Sequence, residues 1–339
     1  MAPTMVDLDV SESTGTDVLH ALGHHHDALA ERLDAPLTSR RPWLSAWIRA
    51  SPHFEPWATC AWESDELVGA CLLGRRRVGD GVEVVALGQG RNDRTRLLAA
   101  DAAVAESLAV HVGTAMRRCG RPWTLRIDQL PERDLLAGAL ARHLPGALLL
   151  PGGSVPGVDF GDERTAHEHL SKNLRRQLQK SRNRIASDGI RLEIEFTRLR
   201  PTLTAHLGEI EAVHRDRDHA VGRVSDIDDL AARNLWRGVI TAHIARDEVE
   251  IATLRLDGAL SAYVISFLDH DTYRVFDGRF ETHWARYSPG RLLEAETLVR
   301  AMTDRRFERL DWMNSIAPEK LISANTIEPT MQLLAASSP

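Results

Sequence analysis

Two groups of residues carry types and spacings suited to chemistry. The first is the segment Val213-His214-Arg215-Asp216-Arg217-Asp218-His219, in which a histidine and an arginine stand three apart near the end of a helical pattern. The second begins at Asp277, which closes the strand-like run Tyr273-Arg274-Val275-Phe276, and continues through Glu281 and His283 to Ser288-Pro289-Gly290-Arg291-Leu292. A carboxylate or histidine at a strand or helix end is a fit proton acceptor. A strand, a glycine-bearing turn and a new helix form a fit anion site, because the first N–H groups of a helix lack internal partners and its dipole favours negative charge there. His214, Asp277 and Glu281 are therefore the candidate bases. Ser288, Gly290, Arg291 and Leu292 are the candidate anion-binding turn.

These residues need a scaffold of strands and helices. In the second half, Thr165 to Ser187 reads as a helix with Leu170, Leu174, Leu178 and Ile185 on one side and Lys172, Arg175, Arg176, Lys180, Arg182 and Arg184 around the rest. A strand over 191–197 and helices over 202–217 and 228–246 follow. Strands over 250–256 and 259–268 flank Asp257-Gly258, a tight hairpin signal. A strand over 272–277, a helix over 291–305, a strand over 309–313 and a tail strand near 331–334 complete this half. The first half has helices over 17–33 and 41–50, strands over 57–62, 67–74 and 82–87, a long helix over 94–118, a strand over 123–127, a helix over 132–143 and a short strand over 147–150. Pro151-Gly152-Gly153-Ser154-Val155-Pro156-Gly157 is the strongest punctuation and marks a boundary, giving domains over 1–156 and 157–339. Both halves run helices, a three-strand meander, a long helix and a strand, the order expected of a duplicated α/β fold.

Composition narrows the classes. The chain has 339 residues, 43% of them apolar and 27% charged, with a formal net charge of −6. That suits a globular protein with more than one core and argues against a generally basic nucleic-acid binder. Its three cysteines, Cys60, Cys71 and Cys119, form no CxxC pair, so neither a disulfide framework nor a zinc ribbon is indicated. The run His24-His25-His26 spreads its side chains over different helix faces, and no metal is expected. No apolar stretch approaches the roughly 20 residues of a membrane span, and the first residues lack a signal-peptide pattern. A cytoplasmic protein without a membrane partner is the expectation.

Three passages carry a family resemblance: Leu170-Ser171-Lys172-Asn173-Leu174-Arg175-Arg176 through Gly189, then Tyr287-Ser288-Pro289-Gly290-Arg291-Leu292-Leu293, then Leu310-Asp311-Trp312-Met313 with Lys320. Through them the second half resembles the GNAT superfamily, in particular the CelD-like acetyltransferases, and the doubled fold resembles that of the Fem-type aminoacyl transferases. The resemblance implies two tandem GNAT-like α/β domains with mixed sheets, the first non-catalytic and the second holding the acyl-donor site. It implies an N-acyltransferase that moves an acyl group, acetyl in the first instance, from acyl-CoA to an amine of a small molecule, sugar or peptide. Ser288, Gly290, Arg291 and Leu292 would then meet the donor, His214, Asp277 and Glu281 would serve proton removal, and Arg217, His283 and Lys320 would contact the acceptor. His214 and Arg217 match a His-x-x-Arg segment of the subgroup. Two alternatives stand beside this: a Fem-type enzyme with an aminoacyl-tRNA donor held by the basic helix, and a non-catalytic protein that kept the fold, since the stretch before Lys320 departs from the subgroup's pattern.

Overall fold

The structure is a computed structural model and describes residues 8–90, 92–120, 122–161, 170–313 and 323–337. Lys320 lies outside the described residues, as does the start of the helix expected from Thr165. The chain divides into two compact units, Met1–Gly153 with Pro329–Pro339, and Ser154–Glu328.

In the first unit, strands β1 (Asp9–Thr14), β2 (Glu55–Glu63), β3 (Glu66–Val78), β4 (Gly81–Ala86), β6 (Trp123–Pro131) and β13 (Thr326–Ala336) are neighbours in that order. All pair antiparallel except β4 with β6. The short β5 (Leu98–Ala99) pairs with β3. Helices α1 (Val18–Arg32), α2 (Arg41–Ala50), α3 (Ala102–Arg118) and α4 (Leu135–His143) belong to this unit. Its core joins Trp57, Val84, Leu125 and Ile127 of the strands to Leu108, Val112 and Leu140 of α3 and α4. The long helix starts at Ala102 rather than 94, because β5 occupies part of that run and Asp101 caps the helix, accepting from Val104 N at 2.9 Å.

The second unit repeats the plan. Strands β7 (Leu148–Asp159), β12 (Arg309–Asp311), β11 (Thr272–Phe280), β10 (Ala259–Asp269), β9 (Val249–Leu256) and β8 (Leu192–Thr197) are neighbours in that order, antiparallel except β11 with β12. Helices α5 (Lys172–Ser187), α6 (Arg200–Ala220), α7 (Leu230–Ile244) and α8 (Pro289–Thr303) complete it. The shared pattern is an antiparallel three-strand meander, a helix, and a strand parallel to the last of the three: β2-β3-β4-α3-β6 and β9-β10-β11-α8-β12. The hairpin turn falls at Asp257-Gly258, both at positive φ, 49° and 83°, the geometry that a tight two-residue turn demands.

The division between the units, Gly153 to Ser154, falls inside the Pro/Gly-rich run 151–157, and that run is part of strand β7. Its backbone groups are paired, for example Trp312 N to Pro156 O at 3.0 Å. The last residues belong to the first unit instead of the second, because β13 pairs with β6 and buries Leu333 in the first core. Among the described residues no helix is long and apolar enough to cross a membrane, and no cluster of three or more His, Cys, Asp or Glu has the geometry of a metal site.

The non-local strand gives a stability test. Leu333 is fully buried, so Leu333→Ala should destabilise the first unit by about 2–5 kcal/mol. Denaturant unfolding followed by tryptophan fluorescence would read this as a lowered midpoint. An unchanged midpoint would deny β13 its place in that core.

Candidate active site

The second unit holds a cleft of about 410 Å³ lined by Arg217 and Asp218 of α6, residues Val275 to Phe280 of β11, Glu294 of α8 and Trp312, among others. Its origin is a parting of two strands. β11 and β12 pair in parallel at Thr272–Arg309, Tyr273–Leu310 and Arg274–Asp311, and there the pairing ends while β11 runs on to Phe280. A buried ion cluster marks the place. Arg274 donates to Asp269 at 2.6 Å and to Asp311. Burial alone would lower the guanidinium pKa, and the two carboxylates outweigh it, so the charge is held more firmly than usual. Asp311 also accepts from Met313 N at 2.7 Å, and Met313 takes a left-handed backbone (φ 57°).

Just past the parting, β11 bulges. Ser266 of β10 faces Val275 while Ile265 faces Asp277, so Phe276 is the extra residue. A bulge shifts the alternation of side chains by one. Before it, Tyr273 and Val275 lie in the core shared with α8. After it, Asp277 and Arg279 reach the residues of α6 and α7.

There a dense network forms. Asp277 Oδ2 accepts from Tyr263 OH at 2.9 Å and from Trp236 Nε1 at 3.1 Å, and lies 3.1 Å from His214 Nδ1. The Tyr263 hydroxyl is also 2.9 Å from His214 Nδ1. Arg279 donates to Asp277 Oδ1 at 3.0 Å and to Asp218 Oδ1 at 3.3 Å. Ser225 donates to Asp218 Oδ2 at 3.0 Å, and His214 Nε2 stands 3.1 Å from the same oxygen. Burial would raise the Asp277 pKa, but the Arg279 charge and the hydrogen bonds of His214 and Tyr263 overcome it and hold the carboxyl far below the ordinary range. Tyr263 moves the other way: burial, then the Asp277 charge, keeps its hydroxyl protonated well above the usual phenol range.

The expected pair His214 and Asp277 is thus in contact. His214 is only 2% exposed and does not itself line the cleft. Asp218 does, and its Oδ2 lies 3.1 Å from His214 Nε2, close but without the alignment of a hydrogen bond. Sequence reasoning passed over Asp218, although its i,i+4 spacing from His214 places both on one helix face. Glu281 and His283 are not brought to this cleft: Glu281 begins a short 3-10 turn, Thr282–Tyr287, and His283 packs against Trp284 on the outside.

The start of α8 forms a second, adjoining feature. Ser288 precedes the helix in a left-handed conformation (φ 55°, ψ 46°), Pro289 occupies its first turn, and no side chain caps it. The N–H groups of Gly290 and Arg291, in the first turn, therefore have no partner within the helix. Helix α5 lies alongside. Arg286 and Tyr287 donate to Asp188, the latter at 2.7 Å, and Arg184 donates to Arg286 O at 2.6 Å, clamping α5 against the turn. Between them is a cavity of about 290 Å³ lined by Gln177, Lys180, Ser181, Arg184, Ser288 and Arg291, among others. The basic helix is thus one wall of the turn. Leu292 is a correction: its side chain is core and its N–H donates to Ser288 O at 3.1 Å, so it offers nothing to an anion. Gly290 also has a packing role that the sequence did not reveal. A Cβ there would come within 2.9 Å of the Phe280 ring, so the glycine is required by packing.

Residues 172–321 match the family model described as an acetyltransferase (GNAT) domain. No curated protein matches the chain. Among solved structures, FemX aligns with a TM-score of 0.63 at 9% identity over 92% of this chain and 95% of its own. L-PGS from Bacillus licheniformis gives 0.53 at 14%, over 92% and 91%. A tandem GNAT protein from the clavulanic acid biosynthesis pathway gives 0.50 at 13%, over 98% and 99%. At such identities the likeness is one of fold.

The network predicts an acid response. The folded protein holds Asp277 ionised below the ordinary Asp value of about 4, so on acidification the unfolded chain takes up this proton first. The stability that Asp277 contributes is complete above about pH 4 and is lost as the pH falls further. Asp277→Asn should cost about 3–5 kcal/mol at neutral pH by leaving Arg279 under-compensated, and should flatten the acid limb of a stability-versus-pH curve. An acid limb identical to that of the parent would exclude this role.

Proposed function

We propose that this protein is an acyltransferase that moves an acyl group from acyl-CoA to an amine held in the cleft along β11; the match of residues 172–321 to the GNAT acetyltransferase model, in a chain with the tandem fold, supports it. The observation that carries this reading is the parting of β11 from β12 beside the uncapped start of α8. One end of that arrangement suits phosphates: orphan N–H groups of Gly290 and Arg291, the helix dipole, and the cations of Lys180, Arg184 and Arg291 around one cavity. The other end suits a thioester, because the β11 edge that β12 no longer pairs presents backbone donors to a carbonyl.

The chemistry asks for a neutral amine held against the carbonyl. The amine nitrogen attacks, the oxyanion collapses, the carbon–sulfur bond breaks, and the departing thiolate is protonated as the amine gives up its proton. In this reading the proton leaves through Asp218 at the cleft wall to His214 Nε2 behind it. Asp277, already a buried anion bound by Arg279, orients His214 Nδ1 and does not itself take the proton. In this reading the start of α3 in the first unit is not a second donor site, since the carboxylate of Asp101 already accepts from Val104 N there. A cytoplasmic location fits a CoA thioester as donor.

The exposed Lys172, Arg176, Lys180 and Arg184 of α5 favour one alternative, an aminoacyl-tRNA donor of the Fem type, since they present a row of cations to a phosphate backbone. Calorimetry separates the two. Acetyl-CoA should bind the wild-type protein, and Lys180→Glu with Arg291→Glu should weaken it at least about tenfold. Steeply salt-dependent tRNA binding with no acetyl-CoA binding would transfer the site to the alternative.

Once an acceptor is in hand, His214→Asn and Asp218→Asn should each lower kcat by about 10²-fold with acetyl-CoA binding retained. Glu281→Gln, away from the cleft, serves as the control. Turnover that survives both His214 and Asp218 substitutions would leave deprotonation to water.

A further inference from the structure

Arg217 stands apart from the other arginines around the cleft. Arg279 is occupied by Asp277 and Asp218. Arg215, on the same helix, is occupied by Asp228 and Glu211. Arg217 lines the cleft, yet among the described residues its guanidinium makes neither an ion pair nor a hydrogen bond; its recorded contact is with the face of Phe280, 4.3 Å from the ring centroid. The last turn of a helix welcomes any cation, which accounts for an arginine at this point of α6 but not for one laid on an aromatic ring inside the cleft. Stacking on a ring holds the planar group in one orientation and leaves its five N–H donors unused, the state in which arginine best receives a carboxylate or phosphate in a two-point grip. The Phe280 ring occupies space that only a glycine at position 290 leaves open, since a Cβ there would come within 2.9 Å of it. Arg223 lines the same cleft from the loop after α6, exposed and also without an acidic partner among the described residues.

We propose that the amine acceptor carries an anionic group, a carboxylate or a phosphate, and that Arg217, stacked on Phe280, binds it with help from Arg223. This rests on the acyl-transfer reading for the amine; the anion is required by Arg217 alone. An amino acid or a phosphorylated amine fits, and a plain polyamine does not.

The test uses paired probes that differ only in the anion: each of the common amino acids against its amide, and phosphoethanolamine against ethanolamine. Stabilisation on heating is measured with and without CoA. The expected result is that at least one anionic member binds about tenfold or more tightly than its neutral counterpart, and the series in which this occurs tells carboxylate from phosphate. Arg217→Gln should abolish the preference, Arg217→Lys should keep part of it, and Phe280→Leu, which leaves the charge but frees its orientation, should weaken it. Equal binding of every anionic and neutral pair, or a preference that persists in Arg217→Gln, overturns the proposal. Acetyl-CoA binding, measured on the same wild-type sample, reports separately on the donor: its absence removes the acyl-CoA reading even where the anion preference holds, and its presence without the preference removes only the inference about the acceptor.

Discussion

The buried cluster of Arg274 with Asp269 and Asp311 sets where two parallel strands stop being a sheet, and the candidate site depends on that point. Had the pairing of β11 and β12 continued beyond Arg274, the edge of β11 would be saturated and no cleft would exist. At the final register position Arg274 faces and pairs with Asp311, Asp269 of β10 holds the same guanidinium, and Asp311 also binds Met313 N, which favours an abrupt end over a gradual fraying. The extra residue at Phe276 then turns the strand's facing over within the freed length, so that one strand contributes core residues before the bulge and the Asp277–Arg279 network after it.

This explains which parts of the site were legible in the sequence. Asp257-Gly258, the Pro289 helix start and the 3.6-residue pattern of α5 are local signals, and each depends on a few adjacent residues. His214 and Asp277 were each singled out as element ends, yet the helix runs on to Ala220 and the strand to Phe280, and it is from inside both elements that the two side chains meet. What could not be read depends on pairing across the chain. A bulge is a mismatch between two strands, so nothing in Val275-Phe276-Asp277 alone reveals it. The run 151–157 reads as punctuation because prolines and glycines usually break structure, yet proline is tolerated where its missing N–H has no partner to serve. The destination of β13 was equally hidden, because a C-terminal strand can add to any open edge of suitable polarity. Asp218 was within reach: an aspartate four residues after a candidate histidine is a local relation, and weighing the helix face as a unit would have singled it out.

The two units show how one plan diverges chemically through a single helix start. In the first, Asp101 folds its carboxylate onto Val104 N, and Gly69 brings α3 so close to β3 that an added Cβ would lie 2.5 Å from Val104. That helix end is satisfied internally and tightly packed. In the second, Ser288 adopts a left-handed backbone and makes no side-chain cap, leaving donors that folding alone does not satisfy. An unfilled helix N-terminus is a cost to the fold, and its retention beside three cations is intelligible if a ligand completes it.

Gly290 and Arg217 belong to one mechanical unit although they sit on different helices. Phe280 lies between them, its ring edge against the α8 backbone at Gly290 and its face under the Arg217 guanidinium. Any side chain at position 290 must displace the ring, and a displaced ring no longer holds the arginine. A substitution aimed at the start of α8 therefore acts on the cleft as well, and a loss of function at Gly290 cannot be assigned to phosphate binding alone. Arg291 is free of this ambiguity. It is exposed, reaches Gln177 of α5 at 3.1 Å, and has no part in the Phe280 stack. Conversely, a ligand that draws the α8 backbone toward itself would move the platform on which Arg217 rests, because one aromatic ring joins the start of α8 to the cleft.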